Sequence, residues 1–116
     1  MRKINVLVTE PNEFGTVVQK AEVGDYTDYY KLGGFSCFDV VRVNWDGMDI
    51  SLFIDDNGMM KSDNFGREVH GYPHPLFGCA IITGGVDKQG NTMSVPEELN
   101  ISDIPKYISE VKYIVR

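Results

Sequence analysis

The sequence has 116 residues, of which 42% are hydrophobic and 24% charged, and its 17 acidic residues outnumber 11 basic ones to give a net charge of −6. This mixture excludes intrinsic disorder, and the length leaves room for one hydrophobic core, so we expect a single domain over residues 1–116. No apolar run approaches the roughly 20 residues of a membrane span, and no export signal precedes the first apolar segment. With only two cysteines, the sequence predicts a cytoplasmic protein with reduced thiols.

The first third of the chain predicts two strands and a short helix. Ile4–Thr9 and Thr16–Glu22 are rich in β-branched residues and predict an antiparallel pair. We expect Pro11 to end the first strand, because proline has no N–H to donate to a ladder. Asp25 is placed to cap a short helix, which the glycine pair at 33–34 ends.

Three tyrosines, Tyr26, Tyr29 and Tyr30, fall on one face of this helix. Stacking on nucleic-acid bases needs interleaved cations, and only Lys31 is close in sequence. We therefore expect the three rings to pack in the core with their hydroxyl groups in water.

The middle of the chain predicts a hairpin made of Phe38–Val43 and Asp49–Ile54, joined by a turn at 44–47 that contains a glycine. Asp55–Gly58 has the composition of a second turn. Residues 62–76 hold several glycines and prolines and predict mainly loop.

Leu76–Thr83 is almost wholly apolar and predicts one central strand buried on both faces. Gly84–Asn91 predicts a turn, and Ser94–Glu97 matches a capping box that would start a helical turn. Apolar residues then recur at helical spacing from Ile104 to Val115 and predict a C-terminal helix, although Val111–Val115 is also compatible with a strand.

These elements predict an α+β fold: a mostly antiparallel sheet with one short central helix and a C-terminal helix. The core is expected to contain Val6, Val8, Val41, Leu52, Ile54, Phe77, Ala80, Ile82, Tyr107, Ile108 and Val111.

Several short features occur together in a recognisable order. They are Glu10-Pro11 after the first strand, Leu32-Gly33-Gly34 after the helix, Leu52–Gly58, Asn64, Phe77–Gly84, and Asp87 with Gly90 before the C-terminal segment. Over roughly residues 4–112 the chain resembles the DUF3846 family of small domains from bacteria, phages and other mobile elements. The resemblance implies a single α+β domain and a mobile-element origin, and it implies no particular activity.

The acidic residues are concentrated in one part of the chain. Residues 22–63 contain nine acidic and three basic residues and carry the whole net charge, while the remainder is neutral. Such a segment repels phosphate, so we expect no binding to duplex nucleic acid. The acidic surface either aids solubility or contacts a basic partner.

Functional side-chain types gather between residues 64 and 75. Asn64, Arg67, His70, Tyr72 and His74 lie in this predicted loop. Arginine offers a planar fork of donors for a carboxylate or phosphate, and histidine changes charge near neutral pH. We expect an exposed binding loop here, in which substitutions affect binding more than folding.

Metal and catalytic sites are weakly supported by the sequence. Structural zinc takes four N or S ligands, and no Cys-x-x-Cys is present. Cys79 lies in an apolar segment, where a thiol behaves as a small hydrophobic group and not as a nucleophile. We therefore predict no metal, no cofactor and no enzymatic activity.

Two functional hypotheses follow. The first is a non-enzymatic cytoplasmic domain that contacts another macromolecule, expected to be a host or phage protein, by analogy with small mobile-element proteins that modulate a host system. The second is a small-ligand or metal-binding module that uses the 64–75 segment.

Overall fold

The computed structural model describes residues 3–12, 15–35, 37–55, 64–109 and 113–115. In chain order these form β1 (Ile4–Asn12), β2 (Gly15–Val23), α1 (Tyr26–Gly33), β3 (Phe38–Trp45), β4 (Met48–Asp55), β5 (Asn64–Val69), β6 (Tyr72–Phe77), β7 (Ala80–Gly84), a 3₁₀ helix (Ile101–Lys106) and β8 (Tyr113–Val115). Every strand pairing is antiparallel, and the α+β prediction is confirmed. The predicted turn at Asp55–Gly58 lies mostly outside the described residues.

The strands form a five-stranded sheet in the order β2-β1-β7-β4-β3 and a three-stranded sheet in the order β6-β5-β8. The predicted β1–β2 pairing is confirmed, but β1 continues through Pro11 to Asn12. β7 pairs with β1 only at Leu7–Thr9. Pro11 therefore lies where β1 has a described neighbour on one side only, a position at which a strand tolerates proline.

The predicted cap of α1 is confirmed. The Asp25 side chain accepts hydrogen bonds from the backbone N–H groups of Thr27 and Asp28, at 2.9 and 3.4 Å. The Asp28 carboxylate accepts in return from Asp25 N at 3.3 Å, which completes a reciprocal capping arrangement, and it also accepts from Gly24 N at 2.7 Å. At the other end Gly34 has φ 66°, a left-handed conformation that favours glycine and stops the helix.

The predicted hairpin of β3 and β4 is also confirmed. Its two turn residues, Asp46 and Gly47, have φ 53° and 90°, the conformation that matches the twist of a two-residue hairpin. Gly47 N donates to the Asn44 side chain at 3.0 Å. Trp45 belongs to the strand and not to the turn, and its indole is fully buried.

The prediction of one continuous strand over Leu76–Thr83 is wrong. The chain leaves β6 at Phe77 and enters β7 at Ala80, and the two strands belong to different sheets. Gly78 makes this change of direction at φ 84°, which a residue with a side chain rarely adopts. The uniformly apolar run gives no sign of this break, because Leu76 near the end of β6 and all of β7 are buried.

The C-terminal helix is present only as the short 3₁₀ helix Ile101–Lys106. Its predicted continuation is wrong: Ile108 forms a β-bridge with Val69, and Tyr113–Val115 pairs with β5. The alternative prediction of a strand is therefore correct for Tyr113–Val115, which includes the β-branched Ile114 and Val115. In the part of the chain that the structure describes, no helix is long and apolar enough to span a membrane.

The predicted helical turn at Ser94–Glu97 is also wrong. This stretch is extended or turn, and the Ser94 hydroxyl accepts a hydrogen bond from Asn5 N at 3.0 Å. Val95 N donates to Asn5 O at 2.9 Å. The segment therefore fastens to β1 instead of starting a helix. The predicted turn after β7 is confirmed, since the Asp87 carboxylate accepts from the N–H groups of Gln89 and Asn91.

The five-stranded sheet is covered on both faces. On one face, apolar residues such as Leu52, Ala80 and Ile82 pack with the small sheet and the 3₁₀ helix. On the other face, Val6, Phe53 and their neighbours pack with α1. Of the predicted core, seven residues are buried: Val6, Val8, Leu52, Ile54, Ala80, Ile82 and Ile108. The predictions for Val41, Phe77 and Tyr107 hold in part, since these are half-buried, and Val111 lies outside the described residues.

Candidate binding site

The predicted loop between residues 64 and 75 is a β-hairpin. β5 and β6 are joined by a turn at His70 and Gly71, and the loop prediction is therefore wrong. Pro73 and Pro75 suggested loop, but β6 is an edge strand of the small sheet, where proline is tolerated.

Arg67, the expected exposed anion-binding group, is fully buried between the two sheets. Its Nη1 donates to Thr9 Oγ1 at 2.6 Å and its Nη2 to the Gly78 carbonyl at 2.9 Å. Burial lowers the pKa of the guanidinium to about 10. The side chain connects β5 to β1 and to the point where the chain changes sheets, so its role is in the fold and not in an exposed site.

The other predicted site residues do not gather around Arg67. The rings of Tyr72 and His74 meet edge to face at 5.5 Å on the outer strand of the small sheet. The exposed His70 lies beside Tyr107 instead, with ring centroids 6.3 Å apart. Asn64 pairs with β8 through its backbone, and its side chain lies outside the described part of the structure. Of the predicted site residues, the hairpin thus brings together one tyrosine and one histidine.

The two cysteines differ in environment. Cys37 is exposed and Cys79 is buried. Burial, with a smaller contribution from Glu10, raises the pKa of the Cys79 thiol to about 12, so the thiol is protonated at neutral pH and is a poor nucleophile. Among the described residues, no three His, Cys, Asp or Glu side chains lie close enough to hold a metal ion.

An open cleft lies on the α1 side of the five-stranded sheet, opposite to the β5–β6 hairpin. It is found between the N-terminal end of α1 and the turn that follows β7. Its volume is about 570 Å³. It is lined by Ile4, Val23, Gly24, Asp25, Tyr26, Tyr29, Asp87, Gly90, Asn91, Thr92 and Met93. The cleft thus combines an apolar floor with tyrosine rings and two carboxylates.

Tyr26 is the most exposed of the helix tyrosines and forms one wall of this cleft. Its exposed fraction is 71%, whereas Tyr29 on the same helix face is buried. Tyr29 stacks on Phe53 with ring centroids 4.2 Å apart. The core prediction is therefore confirmed for Tyr29 and wrong for Tyr26 and for Tyr30, which is 40% exposed.

The rings of Tyr26 and Tyr30 stay in contact with the core through Phe38. Their centroids lie 6.3 and 5.0 Å from the Phe38 ring. Tyrosine and tryptophan rings that pack against the protein on one side and contact solvent on the other are enriched in protein interfaces. We call Tyr26, Tyr30 and Phe38 the tyrosine surface.

The acidic segment does not form one face. Asp39 and Asp49 are both exposed, on β3 and β4. Asp39 lies on the side of the sheet that carries Val41 and Val43, whereas Asp49 lies on the side opposite Ile50, so the two carboxylates point to opposite faces. Of the described acidic residues between 22 and 63, Asp25 alone lines the cleft.

Sequence reasoning found the tyrosines but not the cleft. Its lining comes from β1, β2, α1 and the turn after β7, which lie far apart along the chain. The sequence feature that could have indicated an exposed surface was the presence of three tyrosines on a helix too short to cover a sheet face.

The comparisons with known proteins identify the family. The model of DUF3846, a domain of unknown function, matches residues 1–111. The chain belongs to the DUF3846 family. No curated protein and no solved structure matches it. Because this DUF3846 domain has no assigned function, its functional interpretation depends on its own surface.

Proposed function

We propose that this DUF3846 chain is a non-enzymatic binding domain that acts in the cytoplasm by contacting another protein through the tyrosine surface and the adjoining cleft. The observation that carries the proposal is the exposure of Tyr26 beside a cleft of about 570 Å³. Buried anchor residues at protein interfaces are most often tryptophan, tyrosine or arginine seated beside a pocket.

The arrangement of potential catalytic groups supports a binding role. Arg67 and Cys79 are the described residues with the most altered pKa values, and both are buried in the fold, away from the cleft. The two histidines, His70 and His74, lie on the small-sheet hairpin and contact different aromatic rings. A catalytic site needs such groups within hydrogen-bond reach of one another.

The alternative of a small-ligand module in the 64–75 segment has less support. Its only arginine is used inside the fold, bound to Thr9 and Gly78. The remaining pair, Tyr72 and His74, lies on an edge strand of the small sheet and does not line the cleft beside α1.

The identity of the partner is part of the proposal. A net charge of −6 disfavours duplex nucleic acid, because binding to phosphates needs clustered cations. The mobile-element origin that the family resemblance implies favours, by analogy, a host or phage protein as the partner.

Selection of random peptides displayed on phage against the immobilised protein tests the proposal. We expect enriched peptides that bind Tyr26→Ala at least about tenfold more weakly than the unaltered protein, since loss of an anchor costs about 2 kcal/mol or more. Tyr72→Ala is the matched control, because it removes a half-buried tyrosine from the other side of the molecule. Peptides that depend on Tyr72 and not on Tyr26, or failure of any peptide to be enriched, would contradict the proposal.

A further inference from the structure

The cleft beside α1 has a chemical character that specifies what enters it. We infer that it receives a positively charged side chain, an arginine or lysine of the partner, and this inference rests on the proposed function. Three features carry it: an apolar floor, exposed ring and thioether walls, and two carboxylates with no cation among the described residues that line the cleft.

The shape of the cleft suits a long side chain with an apolar stem. Ile4 and Val23 are buried residues of the first hairpin and form the floor. Tyr26 and Met93 form exposed walls, at 71% and 41% exposure. The stems of arginine and lysine bury readily against such surfaces while their charged ends stay near polar groups. A cation that lies over a tyrosine ring also gains a direct electrostatic attraction.

The two carboxylates are held in place by the backbone. Asp25 Oδ1 accepts from Thr27 N at 2.9 Å, and Asp87 Oδ1 accepts from Gln89 N and Asn91 N, each at 2.9 Å. In each of these two carboxylates, Oδ1 accepts both hydrogen bonds. Within the described residues, no hydrogen bond uses Oδ2 of either carboxylate, so each has an acceptor for a ligand.

The charges around the cleft favour a cation over an anion. Asp28 lies beside Asp25, and its pKa is lowered mainly by the N–H groups of Gly24 and Asp25 that it accepts from, so it stays ionised at neutral pH. The Lys3 stem passes Gly24, and its charge acts on Asp28, but Lys3 does not line the cleft. An incoming arginine therefore meets carboxylates without displacing an existing ion pair of the described residues.

The test uses two capped peptides, Gly-Gly-Arg-Gly-Gly and the same peptide with citrulline in place of arginine, titrated into isotopically labelled protein and followed by NMR. Citrulline keeps the length and planarity of arginine but carries no charge. We expect the arginine peptide to shift the amide signals of Gly24, Tyr26 and Asn91, and to bind about tenfold more tightly than the citrulline peptide.

The double variant Asp25→Asn with Asp87→Asn removes both charges but keeps an oxygen that accepts the same backbone bonds, since asparagine caps helices as well as aspartate does. We expect it to bind the arginine peptide about tenfold more weakly. The control Asp39→Asn with Glu98→Gln removes two exposed charges that do not line the cleft and should leave binding unchanged.

Equal binding of the two peptides, or signal shifts outside the cleft, would overturn the inference. The phage selection would then separate the two proposals. If it enriched peptides that depend on Tyr26 but contain no basic residue, the proposed function would hold, and the cleft would receive an uncharged side chain. If the double variant fails to fold, the comparison of arginine with citrulline on the unaltered protein still decides the question.

Discussion

The two faces of the five-stranded sheet are covered by elements of very different size. One face is covered by three strands and a 3₁₀ helix, which bury Trp45, Ile82 and even the charged Arg67 completely. The other face is covered by α1, a helix of eight residues and thus about 12 Å long. The small helix leaves Tyr26 exposed and a cleft open at its N-terminal end.

This difference separates the residues that maintain the fold from those available for binding. On the small-sheet face, the buried Arg67 is used within the fold, where its two Nη atoms donate to Thr9 and Gly78. On the α1 face, tyrosine and carboxylate groups face a space that the described residues do not fill. Changes to buried residues of either face should therefore reduce stability, whereas changes to the exposed residues around α1 should reduce binding and leave stability nearly unaltered.

The largest expected effect is that of Arg67→Ala. The substitution leaves a cavity between the sheets and removes both donors from Thr9 Oγ1 and the Gly78 carbonyl. We expect the free energy of unfolding to fall by at least about 4 kcal/mol, from the cavity together with unsatisfied buried acceptors. Urea denaturation followed by circular dichroism measures the change.

Arg67→Met is the control for this substitution, because it fills most of the volume and removes the buried charge. We expect it to be less destabilising than Arg67→Ala. A loss below about 1 kcal/mol for Arg67→Ala would show that the guanidinium is solvated and that the hairpin is the exposed loop that the sequence suggested.

Ile82→Ala tests the packing of the same face without any change in charge. Ile82 is fully buried at the centre of β7, between β1 and β4. We expect a loss of about 2–5 kcal/mol from transfer and cavity terms. A thermal or urea denaturation curve close to that of the unaltered protein would mean that the two sheets do not pack closely at this position.

Tyr107→Phe probes the end of this face, where three segments of the chain meet. The Tyr107 ring stacks on Trp45 at 4.6 Å, and its hydroxyl donates to Asp46 Oδ2 at 2.7 Å. The variant keeps the stack and loses the hydrogen bond, so we expect a loss of about 0.5–1.5 kcal/mol. The contribution of the Tyr107–Asp46 pair is measured by adding Asp46→Asn to the Tyr107→Phe variant. If Asp46→Asn lowers the free energy of unfolding equally in the variant and in the unaltered protein, the two side chains are not coupled.

Tyr26→Ala should have the smallest effect on stability, within about 0.5 kcal/mol, because the side chain is largely exposed. Tyr29→Ala, one turn along the same face, should cost about 3–5 kcal/mol as a buried aromatic residue. The contrast is measured by urea denaturation of the two variants, and similar losses would mean that α1 covers its face fully.

The sequence predicted local structure better than it predicted which elements pack together. The Asp25 cap, the glycine stop of α1 and the β3–β4 turn depend on neighbouring residues and were predicted correctly. The change of sheets at Gly78 and the burial of Arg67 depend on contacts between distant strands, as do the walls of the cleft. An arginine in a stretch rich in glycine and proline predicts an exposed loop, and only its distant partner Thr9 shows otherwise.

The central claim, that the α1 face binds the partner while the small-sheet face maintains the fold, is tested most directly by mapping a peptide from the phage selection onto the protein by NMR. The account predicts shifted amide signals at 24–30 and 91–93, with those at 69–74 unchanged. Shifts concentrated at 69–74, around His70 and Tyr72, would contradict it.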